Sequence, residues 1–362
     1  MKNVIFRKFS LISILSSAFV LFMFKFYSGV PSVYAQAQSG LPPEVLDQIT
    51  EWPGNLAPLP SVKFPANNPQ TPAKVELGKL LYFDNRLSKD RSMSCASCHH
   101  PSKGYADGLP RAKGFMGKEL GRHSPTILNA AFNEPQFWDG RASGLEEQAK
   151  GPMLAAGEMN MGHSDVVIGL LEKIPGYQQR FKAVFGEITF DNVAKSIAAF
   201  ERTLITKESR YDNYLRGNKM ALNASEKRGM GIYIGKASCT LCHNGANLTD
   251  NKFHNIGVPQ MGPEKVDLGR FVISQKSADI GAFKTPTLRN IEITAPYMHD
   301  GAFKTLEEVV DFYNKGGDKN KHKSSMMEPL GLSTQEKKDL VNFLKTLTGT
   351  LPEVTIPEPL SD

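Results

Sequence analysis

Two pentapeptides constrain this chain more than anything else in it: Cys95-Ala96-Ser97-Cys98-His99 and Cys239-Thr240-Leu241-Cys242-His243. Each reads Cys-x-x-Cys-His, the attachment signature of a c-type haem, in which two thiols bond to the porphyrin and the adjacent imidazole ligates iron. Together they use all four cysteines. A single all-cysteine zinc site fits poorly, because the two pairs lie 144 residues apart, far beyond the usual spacing of structural zinc ligands. Disulfides or a thiol redox motif are chemically open to such pairs. Neither requires a histidine after the second cysteine, twice.

At 362 residues, with 40% hydrophobic and 22% charged residues, the chain is long enough for two compact globular domains. Its start carries Lys2, Arg7 and Lys8, a largely apolar run from Phe9 to Phe24, and Val33-Tyr34-Ala35 before Gln36. A basic region, an apolar region and a small-residue cleavage site are expected of an export signal over residues 1–35. The alternative is an uncleaved anchor, since the run approaches the length that spans a bilayer. Lys25 and the Val-x-Ala site favour cleavage, which removes four cations and takes the formal charge from +6 to +2. That balance gives no reason to expect nucleic acid. Export to the periplasm, or another extracytoplasmic compartment, agrees with the motif, because c-type haem is attached outside the cytoplasm.

Residues 36–72 hold eight prolines and are expected to form an extended arm wrapping the first domain. From Pro72, the pattern Val75, Leu77, Leu80, Leu81 predicts a helix leading to the first motif. A repeat then emerges at an offset of 161: Ser124-Pro125-Thr126-Ile127-Leu128-Asn129 recurs as Thr285-Pro286-Thr287-Leu288-Arg289-Asn290. At the same offset Phe137-Trp138-Asp139-Gly140 matches Met298-His299-Asp300-Gly301, and Glu146-Glu147 matches Glu307-Glu308. Apolar helices close both halves, through Val193, Ile197, Phe200 and Leu204 and through Leu340, Phe343, Leu344 and Leu347. The expected fold is all-α, with two tandem cytochrome c-like domains over residues 73–216 and 217–350 and a tail over 351–362.

The copies diverge in chemistry. In the second, Thr305 and Glu308 form a capping box that starts a helix through Val309, Val310, Phe312 and Tyr313. Tyr313 corresponds to Pro152 in the first copy. A phenolate oxygen can ligate iron, whereas proline offers no side-chain donor and is expected to end the helix begun near Ser143. The resulting expectation is a second haem closed by His243 and Tyr313 and a first haem on His99 with an open distal face. From the residues alone, Tyr313 reads first as a packing aromatic on an amphipathic helix, and Met298, Met326 and Met327 are rival thioether ligands.

Further motifs include Gly-Arg-His-Ser-Pro-Thr at 121–126, Gln136-Phe137-Trp138-Asp139-Gly140-Arg141, Glu147-Gln148-Ala149-Lys150-Gly151-Pro152 and Gly157-Glu158-Met159. Phe253-His254-Asn255-Ile256-Gly257-Val258 and Ala295-Pro296-Tyr297-Met298-His299-Asp300-Gly301 follow. In this order they resemble the bacterial dihaem cytochrome c peroxidase and MauG superfamily over almost the whole mature chain. The resemblance implies hydrogen peroxide reduction at the His99 haem, with Gln148 and Glu158 in its distal pocket and Trp138 conducting between the haems. It also implies that Tyr313 is the sixth ligand of the second haem, as in MauG-like members. Heterolysis of the O–O bond needs a moving proton, so Glu158 takes the acid/base role and Gln148 the orienting one.

Two departures from the family pattern carry weight. Where inactive-resting peroxidases carry a distal histidine, this sequence has Phe115, so the first haem is expected to need no reductive release. The family's calcium site is matched by Thr294 and Pro296, but His123 replaces its asparagine. Imidazole is a poor ligand for a hard cation, which puts calcium in doubt. Three functions follow. One is a peroxidase fed by a small exported cytochrome c or cupredoxin; another is a MauG-like oxidase of a protein or organic substrate; the last is a non-catalytic electron carrier. A homodimer stays open.

Overall fold

The computed structural model describes residues 41–262 and 266–361; the export signal lies outside them. Among the described residues the regular structure is helical except for one sheet of two dipeptide strands, so the all-α expectation holds.

The proline-rich arm contains α1 (Pro43–Leu46) and then runs extended. Its placement differs from expectation. Leu41, Leu46 and Leu56 are buried in the core of the second domain, with Val45, Ile49 and Trp52 packed beside them. Leu41 N–H donates to the Gly231 carbonyl at 3.3 Å. Only farther along does the arm reach the first domain, where Asn68 donates to Glu146 at 2.7 Å. Proline content specified an extended path but not its surface, which the arm's apolar side chains choose.

The first domain opens with α2 (Pro72–Phe83), capped by Thr71, whose hydroxyl accepts the Lys74 N–H at 3.3 Å. The first motif forms the short α3 (Cys95–Cys98). There follow α4 (Leu145–Leu154), α5 (Ser164–Leu171), α6 (Pro175–Phe185) and α7 (Phe190–Glu201). Helices α2 and α7 cross closely: a Cβ on Gly78 would sit 1.8 Å from the Ser196 carbonyl oxygen, so only glycine admits this approach. Tyr82 packs on Phe200 at the crossing, with centroids 5.0 Å apart.

Helix α8 (Arg210–Leu215), placed in the first domain by the sequence reading, belongs to the second core, where Tyr211 and Tyr214 are fully buried. The second domain repeats the crossing with α9 (Ala224–Ile234). Between its haem motif and its last helices come β1 (Phe253–His254), α10 (Phe271–Ser274) and β2 (Phe283–Lys284). The strands pair antiparallel, Phe253 with Lys284 and His254 with Phe283. Then come α11 (Leu306–Asn314) and α12 (Thr334–Lys345). At the α9–α12 crossing a Cβ on Gly229 would lie 2.0 Å from the Asp339 carbonyl oxygen. Tyr233 packs on Phe343 at 5.1 Å.

The predicted capping box is present at α11: Thr305 Oγ1 accepts the Glu308 N–H at 3.1 Å, and Glu308 accepts the Thr305 N–H at 3.2 Å. The backbone repeat extends to left-handed residues 161 apart, Asn129 with Asn290 and Phe137 with Met298. The tail does not hang free. Leu351, Val354 and Leu360 pack on the first domain's core, and Arg86 donates to the Leu360 carbonyl at 2.8 Å. Each end of the described chain therefore lies against the lobe more distant in sequence.

Candidate haem centres

Both Cys-x-x-Cys-His motifs open on one continuous cavity of about 1320 Å³. All four cysteines are unpaired. Burial pushes the Cys98 and Cys239 thiols up to about 12, which disfavours the thiolates that zinc or disulfide exchange would need.

The two histidines are held alike. His99 Nδ1 donates to the Tyr105 carbonyl at 3.3 Å and His243 Nδ1 to the Leu248 carbonyl at 3.2 Å. Tyr105 and Leu248 are both left-handed, with φ of 56° and 52°. A second tether comes from the preceding helix: Tyr82 donates its hydroxyl to the His99 carbonyl at 2.6 Å, and Tyr233 does so to His243 at 2.5 Å. Burial lowers both imidazoles to about 4, so they are neutral near pH 7 with Nε2 available for iron. The sequence reading missed these tyrosines; they would have emerged from superposing the helices ahead of each motif at their own offset of 151.

The wall also carries Lys284, 7% exposed, whose ammonium reaches only the Thr285 carbonyl at 3.5 Å. Burial lowers its pKa to about 8. A weakly partnered buried cation suits the acidic edge of a haem. Neutral imidazoles, free thiols and this cation fit two covalently attached haems.

On the first side, Gln148, Pro152 and Glu158 all line the cavity. Pro152 does not end its helix as expected. It lies inside α4, which continues to Leu154, because losing one N–H near the helix end sacrifices a single bond. The chain then turns back, with Glu158 N–H donating to the Ala155 carbonyl at 3.0 Å. Among the described residues, the side chains of Gln148 and Glu158 have no hydrogen-bond partner, and burial raises the Glu158 carboxyl. Phe115 contributes backbone: its N–H donates to the Glu158 carbonyl at 2.8 Å, while Met116 is exposed to solvent. That loop holds no histidine.

On the second side, Tyr313 lines the cavity, and its hydroxyl has no hydrogen-bond partner among the described residues. Burial raises its pKa above the ordinary phenol value. Met298, Met326 and Met327 also line the cavity. Trp138 stands where the lobes meet: its Nε1 donates to the His123 carbonyl at 2.9 Å and its own carbonyl accepts the Lys284 N–H at 2.8 Å. Arg122 clamps the same seam, paired to Asp139 and to Asp267, both at 2.7 Å.

His254 is paired to Asp250 at 2.9 Å, and Asp250 with Cys242 raises its pKa to about 9. His299 stacks on Phe283 at 3.6 Å with its Nε2 buried and unpartnered. The calcium site does not fit. His123 Nδ1 is committed as a donor to the Leu109 carbonyl at 2.8 Å, and the ring offers no oxygen in place of an asparagine amide. Thr294 and Pro296 lie on the cavity wall without that third group.

Two such motifs around one cavity define a two-haem c-type cytochrome with oxidoreductase chemistry. The comparisons agree: residues 72–220 match the di-haem cytochrome c peroxidase family model and residues 226–348 the cytochrome c model. The methylamine utilization protein MauG of Methylorubrum extorquens is 43% identical over 301 residues, covering 82% of this chain and 84% of that one. Cytochrome c551 peroxidase of Nitrosomonas europaea is 39% identical over 299 residues, covering 81% and 85%. A solved MauG-like protein associated with microbial copper homeostasis superposes with a TM-score of 0.74 at 32% identity, covering 83% of this chain and 95% of that one. The chain belongs to the dihaem cytochrome c peroxidase and MauG family.

Proposed function

We propose that the protein reduces hydrogen peroxide at the centre built on His99, with electrons arriving through the centre built on His243. When bound, the two haems supply the iron that takes peroxide and the redox equivalents for its reduction. The chain's residues divide the remaining work. Glu158, its carboxyl raised by burial and without an ion-pair partner among the described residues, would pass a proton between the two peroxide oxygens. Gln148 orients the bound oxygen by hydrogen bonding. Trp138 offers an aromatic path across the seam. Tyr313 would hold the second iron through its phenol oxygen and so keep exogenous ligands from it.

The observation that carries this reading is the pair of matching wall positions: Pro152 without a donor atom and Tyr313 with an uncommitted hydroxyl. Resting-state electron paramagnetic resonance on Tyr313→Phe and Tyr313→Met tests it. A high-spin signal beside a low-spin signal that changes only with Tyr313 is expected. Two unchanged low-spin signals would remove both the open site and the tyrosine ligand.

Tyr313 also favours a second reading. An anionic oxygen ligand stabilises the higher iron charge, which suits a MauG-like oxidase of a protein or organic substrate. Slow turnover with a reduced cytochrome c or cupredoxin, and a long-lived two-electron-oxidised protein after one peroxide equivalent, would select it. Export to the periplasm rests on residues 1–35; among the described residues no helix is long and apolar enough to cross a membrane.

A further inference from the structure

The last residue of α7, Glu201, is 4% exposed and stands on the cavity wall. Its Oε2 is buried with no hydrogen-bond partner. The α2–α7 and α9–α12 crossings superpose Phe200 on Phe343, which puts Leu344 in the corresponding position of the second domain, also on the wall. One haem site thus faces a carboxyl where the other faces an alkyl chain.

Among the described residues no cation is committed to Glu201. The adjacent Arg202 gives both guanidinium nitrogens to Glu146 of α4, at 2.6 and 2.8 Å. The other titratable groups facing Glu201 are Tyr82 of α2 and Cys95 of α3, neither of them an iron ligand. Burial pushes the carboxyl up to about 8, so it carries its proton near pH 7.

We propose that Glu201 couples loss of an electron from the first haem to release of one proton. Removing one electron to an external acceptor adds one positive charge to a low-dielectric cavity. The Glu201 O–H bond then breaks heterolytically, the proton leaves to bulk water, and the carboxylate offsets the new charge. Reduction by one electron returns the proton. By linkage the effect is reciprocal: deprotonating Glu201 lowers the first haem's reduction potential. With Leu344 in its place, the second haem lacks this acid. The proposal rests on the first haem being bound at His99.

The test is mediated spectroelectrochemical titration of the full-length protein with both haems attached, from about pH 6 to about pH 9. The first haem's potential is expected to fall with pH, at up to one proton per electron. Glu201→Gln is expected to flatten that dependence, while the second haem's potential follows the same course in both proteins. In the native protein, the oxidised-minus-reduced infrared difference spectrum should show loss of a protonated carboxyl stretch, independently of whether any variant folds. Two redox centres with an unaltered slope in Glu201→Gln, or no carboxyl loss in the native protein, would overturn the proposal. A single redox centre would instead overturn the two-haem reading beneath it.

Discussion

Up to the histidine of the motif, His99 or His243, the two lobes are built alike, and beyond it they differ. Each begins with a helix whose glycine, Gly78 or Gly229, admits the closing helix, and whose tyrosine, Tyr82 or Tyr233, tethers the histidine carbonyl. The second lobe then inserts β1, α10 and β2 between His243 and Thr285. The first makes its addition later, as α5 and α6 after the Glu158 turn. Across the duplication, Pro152 and Glu201 of the first lobe correspond to Tyr313 and Leu344 of the second.

The largest way to break this comparison is at Glu158. Glu158→Gln should lower peroxide turnover by about 10²–10⁴-fold, whereas Lys319→Gln, at the same offset of 161 in the second lobe, should leave it unchanged. Steady-state peroxide assays on both variants measure the difference.

The buried Arg289–Asp212 pair, 2.9 Å apart with side chains 2% and 5% exposed, is the next lever. Its counterpart in the first lobe is Leu128. Arg289→Ala should cost about 3–5 kcal/mol by stranding a buried carboxylate, read as a shift in the denaturant midpoint.

A related effect is expected of Glu201. Its folded pKa of about 8 stands above the ordinary carboxyl value of 4.5, so the folded state holds a proton that the unfolded chain has released. Its contribution to stability is present below the ordinary value and is lost as pH rises toward 8. Glu201→Gln should flatten that decline, and Leu344 provides no matching slope. Urea denaturation at stepped pH reads both.

The smallest effects test equivalence itself. Gly78→Ala and Gly229→Ala each force a Cβ against a carbonyl oxygen, at 1.8 and 2.0 Å, and each should cost about 1–3 kcal/mol. Thermal denaturation giving unequal losses would show that the two crossings are not interchangeable.

The parts of this molecule that could be read from the chain were those carried by local chemistry. Cys-x-x-Cys-His, the Thr305–Glu308 cap and the 161-residue repeat all have short-range signals, and each appears in the structure where the pattern put it. Gln148, Glu158, Trp138 and Tyr313 all line the one cavity. The reading stopped at contacts between distant segments. Nothing in eight prolines says which lobe an arm lies on, and nothing local assigns Tyr211 and Tyr214 to the second core. Pro152 misled because a helix penalty was treated as a stop, where the last turn absorbs it. Glu201 was hidden by using one offset throughout, although the closing helices align at 143.

The exchanged termini have a mechanical consequence. Leu41, Leu46 and Leu56 plug the second lobe from one end of the chain, and Leu351, Val354 and Leu360 plug the first lobe from the other. Hinging the lobes apart would have to unplug a hydrophobic anchor at each end, beyond parting the seam at Arg122. The spacing of the two Cys-x-x-Cys-His motifs is thereby buckled by the polypeptide's own ends, and cutting either strap is the way to let it drift.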